Sequence, residues 1–388
     1  MTKQHPLATS SWDHKELDAI QDVIKNNKFS MGPKVKEFEE NFAQFFKSNY
    51  AIMCNSGSSA NLLMIAALFY TSDPKKRLNA GDEVIVPAVS WSTTYYPLQQ
   101  YGLNLKFVDI DLETLNFNIN DLRQAVTDKT RMIFAVNLLG NPNDYKAINE
   151  IINGTDIVLI EDNCESMGAK FNGKHTGTFG VMGSFSAFFS HHISTMEGGI
   201  VTTDDEELYQ IMLSLRAHGW TRDLPEINLL TGRKDPDPFN ESFKFILPGY
   251  NLRPLEMSGA VGIEQLKKLP SIINGRRKNA SLFCDLMYNN DKFIIQRELG
   301  ESSWFGFSLV IKPSYKRPRK DIIAKLLEKG FEVRPIVAGN FVKNEAIKYF
   351  DHSIHGNLEN ADYIDKNGLF IGNHHYPIDE TLHALSSI

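Results

Sequence analysis

Short apolar runs alternate with helical patterns over about 200 residues of the sequence, and this alternation limits the fold more than any other feature. The apolar runs cover residues 83–87, 105–110, 132–137, 157–160 and 199–203, with helical patterns at 119–126 and 206–217. Such alternation predicts a mostly parallel, doubly wound sheet in an α/β protein. Ligands of these sheets bind beyond the carboxyl ends of the strands. The polar stretches 90–93 and 161–166, which follow two of the runs, are therefore candidate site residues.

The last third of the chain predicts a second, smaller α/β domain. Helices are expected at 255–269 and 271–289, then a strand at 307–312 and a helix at 321–329. We place the boundary between the two expected helices, which gives a large domain of residues 1–270 and a small domain of residues 271–388. Residues 221–250 have little periodicity, so this segment is either a functional loop or a disordered insertion.

Composition excludes several classes of protein. The 388 residues are 42% hydrophobic and 23% charged, and the net charge of −6 indicates no affinity for nucleic acid or membranes. The first six residues have no apolar run typical of a signal peptide, and the most apolar window, 62–70, is too short to cross a bilayer. Three widely spaced cysteines argue against a disulfide framework and against a zinc or iron–sulfur site. We therefore expect a cytoplasmic protein that binds no metal.

Helix signals are clear near the N-terminus. Residues 12–27 predict an amphipathic helix in which Asp13 and Glu16 have the spacing of a capping box, and Pro33 suits the start of a helix at 34–46. Gly57 and Ser58 precede a further helix at 61–70. Gly57 allows a tight turn, and free N–H groups at a helix start favour phosphate. Most such turns are only helix caps, so both interpretations stay open.

Two residues beyond strand ends are of chemical interest. Asp162 follows the apolar run 157–160, where a carboxylate is a helix N-cap, a metal ligand or the partner of a cofactor. Trp91 follows the run 83–87 and is flanked by Ser and Thr residues. A tryptophan at a strand end is usually part of the core, but these polar neighbours favour a pocket.

Residues 186–199 read Ser-Ala-Phe-Phe-Ser-His-His-Ile-Ser-Thr-Met-Glu-Gly-Gly. This stretch resembles the cofactor segment of the aspartate-aminotransferase superfamily, in its sugar-modifying branch. That branch has Ser-Phe-x-x-x-x-Lys and then Glu-Gly-Gly, and its lysine binds pyridoxal phosphate as a Schiff base six residues before the Glu. Counting back six residues from Glu197 gives His191, and no lysine occurs between Lys174 and Lys234. An imidazole cannot form an imine, so the resemblance implies a fold type I protein that holds its cofactor without a covalent bond.

The resemblance extends nearly from end to end, through residues 87–96, 137–142, 161–166, 216–222 and 301–307. It implies that Asp162 pairs with the pyridine nitrogen of the cofactor, where an anion keeps that nitrogen protonated and the ring electron-accepting. Glu165 occupies the position of the family's usual Gln, which leaves the protonation of the ring hydroxyl open. The other implied cofactor residues are Trp91 on the ring and, at the phosphate, Gly57, Ser58, Ser186 and, across a homodimer interface that shares the active sites, Asn251.

The resemblance implies that His191 is the catalytic base in place of the lysine, and the spacing to Glu197 favours it over the adjacent His192. A degenerate enzyme or a merely buried imidazole is the alternative. A histidine here is typical of the dehydratases of this branch. The implied activity is removal of the C3 hydroxyl from a GDP-linked 4-keto-6-deoxymannose by pyridoxamine 5′-phosphate, on the route to the dideoxysugar colitose.

Regeneration of the amine form requires an amino donor, which the resemblance implies is glutamate. Arg334 is the candidate for its carboxylate, because guanidinium is the natural bidentate partner. His218 and Arg222 are candidates for binding the nucleotide. Two alternatives remain: a CDP-sugar 3-dehydratase, whose iron–sulfur cluster needs four thiolates, and a non-catalytic module that binds cofactor or nucleotide sugar.

Overall fold

The secondary structure of the protein is given by a computed structural model that describes residues 5–388. The segment considered for a signal peptide therefore begins outside the described residues. The helices are α1 (His14–Lys25), α2 (Pro33–Phe46), α3 (Gly57–Tyr70), α4 (Ser92–Gln100), α5 (Ile119–Ala125), α6 (Tyr145–Ile152), α7 (Glu206–Arg216), α8 (Pro238–Glu241), α9 (Glu256–Met287), α10 (Arg319–Glu328), α11 (Glu359–Asn367) and α12 (Asp379–Ser386).

The strands are β1 (Tyr50–Cys54), β2 (Glu83–Pro87), β3 (Asn104–Val108), β4 (Thr130–Val136), β5 (Val158–Asp162), β6 (Lys170–Phe171), β7 (Lys174–His175), β8 (Met182–Ser186), β9 (Gly199–Thr203), β10 (Ile227–Asn228), β11 (Gly232–Arg233), β12 (Phe293–Ile295), β13 (Gly306–Ile311), β14 (His352–Ile354) and β15 (Gly368–Gly372). Eight of them form one sheet in the order β1-β9-β8-β5-β4-β2-β3-β14. All neighbours in it are parallel except β9, which is antiparallel to both β1 and β8. The predicted mostly parallel sheet is confirmed.

Both faces of this sheet are covered by helices, as a parallel sheet requires. On β2, Val84 and Val86 pack into a core that includes α3 and α7, while Ile85 packs on the other face into a core that includes α5 and α6. α3 is apolar on nearly all sides because it lies inside the protein, and residues 63–68 are fully buried. The carboxyl ends of β4, β5 and β8 meet at one edge, where the register places Asp162 beside Val136 and Ser184.

The C-terminal part of the chain builds a second core. The antiparallel strands β12, β13 and β15 pack with α10, α12 and the end of α9 around buried side chains such as Phe283, Trp304 and Phe307. β14 does not belong to this sheet, because it pairs with β3 at the edge of the large one. The domain boundary at residue 270 stays a prediction.

The expectation of two helices at 255–269 and 271–289 is wrong, since α9 is continuous and contains Pro270. A proline inside a helix removes one hydrogen bond and costs about 3 kcal/mol. The two halves of α9 are held by separate cores, with Leu266 and Leu269 in one and Ala280 and Phe283 in the other. This packing on both sides of the proline outweighs its local cost.

Local signals near the N-terminus have a mixed outcome. The capping box of Asp13 and Glu16 is present, and Pro33 is the first residue of α2. The helix expected at 61–70 begins earlier, at Gly57, because the Ser56 side chain accepts a hydrogen bond from the Ser59 N–H and caps it. The segment 221–250 contains the β10–β11 hairpin and α8 rather than a structureless loop.

Candidate active site

A cavity of about 560 Å³ opens where the carboxyl edge of the large sheet meets residues of the C-terminal part. The large-sheet side contributes the start of α3, the ends of β4, β5 and β8, and the loop after β8. The opposite side contributes Phe305, Arg334, Val337 and Phe370. Eight of the residues predicted from the sequence line it, namely Gly57, Ser58, Trp91, Asp162, Glu165, Ser186, His191 and Arg334.

Asp162 is the buried last residue of β5, and both of its carboxylate oxygens accept hydrogen bonds. Oδ2 accepts from Nδ2 of Asn61 at 2.8 Å and from Oγ1 of Thr94 at 2.7 Å, and Oδ1 accepts from the N–H of Cys164 at 3.1 Å. Three donors favour the ionised carboxylate and fix its direction. A buried anion held this rigidly is a ready partner for a protonated ring nitrogen.

Gly57, Ser58 and Ser186 come together at the N-terminus of α3. A Cβ on Gly57 would lie 2.8 Å from the Cβ of Ser186 and 3.0 Å from Sγ of Cys164, so only glycine fits. Oγ of Ser58 donates to Oγ1 of Thr93 at 2.9 Å. The first N–H groups of a helix have no partner inside the helix and carry a partial positive charge. This corner of the cavity therefore has the donors that a phosphate group needs.

Trp91 precedes α4 at the mouth of the cavity and is 58% exposed. The residues around it are held in place, since Oγ of Ser90 lies 2.7 Å from Oγ1 of Thr94, which in turn donates to Asp162. The indole therefore lies on a fixed support while its surface stays accessible. Such a surface suits an aromatic ring, so the predicted contact of Trp91 with the cofactor ring stays a prediction.

Glu165 lies beside Asp162 on the loop after β5 and is partly buried. Its Oε2 accepts a hydrogen bond from the N–H of Leu139 at 3.1 Å. Burial raises the pKa of Glu165 to about 7, the hydrogen bond from Leu139 opposes the rise, and the neighbouring charge of Asp162 adds to it. At neutral pH this carboxyl group can therefore act either as a hydrogen-bond donor or as an acceptor.

The two adjacent histidines point to different places. His192 is buried, and its Nε2 lies 3.0 Å from the carbonyl oxygen of Ser303, to which it donates. His191 lines the cavity, and its ring packs 5.1 Å from the ring of Phe305. Burial lowers the pKa of His191 to about 4, with a further contribution from the charge of Arg276. His191 is thus neutral at physiological pH and able to accept a proton.

Three predicted residues lie outside the cavity of this chain. Asn251 is exposed, and its Oδ1 accepts a hydrogen bond from Nε of Arg253 at 3.0 Å. The His218 ring packs 5.2 Å from Trp220, and the guanidinium of Arg222 lies 3.9 Å from the same indole. Arg334, in contrast, is exposed at the cavity, and its Nη1 donates to the carbonyl of Val333 at 3.2 Å.

The lysines that bound the lysine-free stretch do not line the cavity. Nζ of Lys174 lies 4.9 Å from the centre of the Phe179 ring. Nζ of Lys234 donates to the carbonyl of Arg222 at 3.0 Å. His191 therefore occupies the wall of the cavity with no lysine from these two positions beside it.

Sequence reasoning missed several residues of the site. Asn61 and Thr94 orient Asp162, and Phe305 supports His191. Asn61 could have been predicted to lie at the site, because it is four residues after Gly57 and so lies on the same face of α3. Phe305 lies in the resembling stretch 301–307, but its contact with His191 could not be predicted, since it depends on how the C-terminal part packs against the large sheet.

None of the helices among residues 5–388 is long and apolar enough to cross a membrane. Groups of three or more His, Cys, Asp or Glu side chains placed to hold a metal ion are likewise not found among these residues.

Comparison with known proteins gives consistent results over the whole chain. The DegT/DnrJ/EryC1/StrS aminotransferase family matches residues 10–383. The chain is 62% identical over 384 residues to a GDP-4-keto-6-deoxy-D-mannose 3-dehydratase of Yersinia pseudotuberculosis, with 99% of this chain and 97% of the relative covered. A solved structure of GDP-4-keto-6-deoxymannose-3-dehydratase with a trapped PLP–glutamate geminal diamine has a TM-score of 0.98 at 59% identity, covering 99% of each chain.

A further solved structure, of a variant of GDP-4-keto-6-deoxymannose-3-dehydratase, contains bound GDP-perosamine. Its TM-score is also 0.98, at 59% identity and with 99% of each chain covered. The aminotransferase-like fold implied by the sequence is confirmed by these similarities.

Proposed function

Because the chain belongs to the DegT/DnrJ/EryC1/StrS aminotransferase family, we propose that it is a pyridoxal-phosphate-dependent dehydratase. It removes the C3 hydroxyl of GDP-4-keto-6-deoxy-D-mannose, as the name of its 62% identical relative states for that protein. Glutamate is the amino donor that regenerates the cofactor. The observation that carries this proposal is the neutral imidazole of His191 at the wall of the cavity that also contains the fixed carboxylate of Asp162, at the position where the family has a lysine.

The residues of the cavity fit the cofactor. The close approach of Gly57 to Ser186 and the free N–H groups of α3 suit its phosphate, Asp162 suits its ring nitrogen, and Trp91 offers a surface for its ring. When bound, pyridoxamine 5′-phosphate supplies a primary amine for the sugar ketone and an electron-accepting ring. No residue needs to form a covalent bond with it.

His191 then moves the proton. Its Nδ1 is buried, so Nε2 is the ring nitrogen that faces the cavity. In the neutral form Nε2 accepts the proton released during C3–O cleavage and delivers it to the departing hydroxyl, which leaves as water. With glutamate, the same nitrogen takes the α-proton. Arg334 binds the donor carboxylate at the exposed side of the cavity.

We also propose that the enzyme is a homodimer with shared active sites. Apolar side chains are exposed on the segment between α7 and α9, among them Ile227 (66%), Phe239 (86%), Phe243 (69%) and Phe245 (55%). Asn251 lies on the same segment, outside the cavity of its own chain. An interface there would bury this surface and bring Asn251 to the neighbouring phosphate site. His218 and Arg222 would similarly contact the nucleotide of that site.

Mixed dimers test this arrangement. Ser186→Ala and Asn251→Ala subunits, each inactive alone, should recover activity when co-expressed, because half of the sites in a mixed dimer contain neither change. Random pairing gives roughly a quarter of the wild-type activity. Folded mixed dimers without recovered activity would indicate that each subunit is self-contained.

We place the enzyme in the cytoplasm, since its three cysteines are free thiols, as is typical of a reducing compartment.

A product assay tests the function. The enzyme is incubated with GDP-4-keto-6-deoxymannose, glutamate and pyridoxal phosphate, and the products are analysed by mass spectrometry. The expected sugar nucleotide is lighter by one oxygen atom and forms together with 2-oxoglutarate and ammonia. An amino sugar would instead indicate a conventional aminotransferase, and the absence of 2-oxoglutarate would indicate a binding module.

A further inference from the structure

A buried cation beside the main chain of Phe305 has no carboxylate partner among residues 5–388. Arg276, on α9, is 6% exposed. Its Nη1 donates to the main-chain carbonyls of Phe305 at 2.8 Å and Asn373 at 3.0 Å, and no ion pair joins it to any carboxylate among residues 5–388. Buried arginines normally pair with a carboxylate, because an isolated charge is costly in the interior. Burial lowers the pKa of Arg276 only to about 10, so its charge persists at neutral pH.

Arg276 reaches the proposed base through Phe305. The guanidinium holds the main chain of Phe305, and the ring of the same residue packs 5.1 Å from His191 and 5.8 Å from His192. The preceding carbonyls of this segment are also held by buried groups, Ser303 by His192 and Trp304 by Nδ2 of Asn373. The support for the imidazole is therefore a main-chain segment fixed from inside the protein.

The segment is fixed from its other side as well. The N–H of Ser303 donates to the carbonyl of Gly140 at 2.9 Å, and the N–H of Phe305 donates to that of Leu139 at 3.2 Å. A Cβ on Gly140 would lie 2.4 Å from the Trp304 nitrogen, so the approach is as close as glycine allows. Phe305 consequently has little freedom to shift, and neither does the imidazole that packs on it.

The surroundings of His191 oppose a positive charge on its ring. No group among residues 5–388 hydrogen-bonds the buried Nδ1 of His191, so no acceptor stabilises the positive charge that the ring gains on protonation. Arg276 adds the repulsion of a like charge, and His192 next to it is also held neutral by burial.

The other ionisable groups that line the cavity with His191 are Asp162, Cys164, Glu165, Glu197 and Arg334.

We propose that Arg276 is a positioning residue for the base: it fixes the Phe305 main chain on which the imidazole packs, and its buried charge keeps that imidazole neutral between turnovers. This inference rests on the proposed function, in which His191 moves the proton. It assigns the arginine no contact with substrate or cofactor.

The test follows the titration of His191 in the cofactor-free protein by NMR, with the His191→Asn protein identifying the resonance. Arg276→Gln keeps a donor for the Phe305 carbonyl but removes the charge. We expect the midpoint of His191 to rise by about one pH unit. The midpoint of the acidic limb in the pH–rate profile of dehydration should move to higher pH by the same amount, because more of the imidazole is protonated at a given pH.

Arg277→Gln is the matched control. Arg277 is the next residue of α9 and donates to the Ser302 carbonyl at 2.9 Å, but it also pairs with Glu301. Its loss should reduce the melting temperature and leave the midpoint of His191 in place. Equal shifts in both variants, or none in a folded Arg276→Gln protein, would overturn the proposal.

Arg276→Lys covers the case in which the glutamine variant does not fold. A lysine retains the charge, so the midpoint should remain at the wild-type value even if the protein is less stable. A midpoint that rises although the charge is kept would overturn the electrostatic role. Because the titration is measured without substrate, it remains informative even if the product assay refutes the proposed function.

Discussion

Asp162 and His191 line the same cavity, but their surroundings favour different charge states. Asp162 has a donor at each oxygen and is held as an anion. His191 has a buried Nδ1 with no partner and a cation nearby, and is held neutral. The difference indicates that Asp162 carries a permanent charge, whereas His191 must gain and lose a proton.

Asp162 and His191 also differ in which part of the chain supports them. The partners of Asp162 are side chains at the starts of α3 and α4, both on the large-sheet side. The supports of His191 are Phe305 and Arg276, which belong to the C-terminal part of the chain. The anion is therefore held within the large-sheet side, whereas the base depends on how the C-terminal part packs on the large sheet.

The largest expected effect comes from removing the neutral imidazole of His191. His191→Asn keeps the polarity and approximate size of the side chain but cannot accept a proton near neutral pH. Both dehydration and exchange of the glutamate α-proton should slow by roughly 10²–10⁴-fold, because general-base catalysis contributes that much. Single-turnover kinetics and deuterium exchange measure the two reactions separately.

His192→Asn is the control for that change. His192 donates to the Ser303 carbonyl and does not line the cavity. Its loss should lower stability by about 1–2 kcal/mol while most of the turnover remains. If His192→Asn were the inactive variant and His191→Asn turned over normally, the adjacent histidine would be the base.

The next largest effect comes from removing the charge of Asp162. Asp162→Asn keeps the shape of the side chain but removes the charge opposite the ring nitrogen of the cofactor. Loss of a charge-assisted hydrogen bond costs about 1.5–3 kcal/mol, so pyridoxamine phosphate should bind roughly 10–100-fold more weakly. Absorbance titration of the cofactor measures this. Asp156→Asn, at an exposed pair with Lys75, should leave the affinity unchanged, and an unchanged affinity for Asp162→Asn would argue against the ring contact.

The same contrast explains what the sequence could and could not predict. The large sheet and the position of Asp162 follow from apolar runs that a parallel sheet buries on both faces. Gly57 and Ser186 were found because each belongs to a short local pattern. β8 was missed because Met-Gly-Ser-Phe-Ser has few β-branched residues, and its burial comes from the neighbours β5 and β9.

The long-range packing could not be predicted from the sequence. Nothing near Pro270 indicates that α9 continues through it, since that depends on two separate cores. Phe305 is one of many phenylalanines in the chain, and only the fold brings its ring to His191. Asn251, His218 and Arg222 lie outside the cavity of one chain. Their roles stay predictions, as do the roles of the eight residues that line it.

The smallest expected effect sharpens the comparison, because it concerns Glu165, a second carboxyl group beside Asp162. The raised pKa of Glu165, about 7 against a usual 4.5, means that folding favours its protonated form. Its contribution to stability is therefore fully present below about pH 4.5 and is lost as the pH rises towards 7. For His191, whose pKa is lowered from 6.5 to about 4, the contribution is present above 6.5 and is lost as the pH falls towards 4.

Glu165→Gln separates these two opposing dependences. The amide keeps an acceptor for the Leu139 N–H but carries no charge, so the cofactor-free variant should be more stable than the wild type by about 1–2 kcal/mol at pH 8 and equally stable at pH 4.5. Urea unfolding at the two pH values measures the difference. A gain of the same size at both would show that better packing, rather than the removed charge, is the cause. A loss at pH 8 would mean that the carboxylate of Glu165 is paired like that of Asp162. His191 would then be the group that differs from both carboxylates.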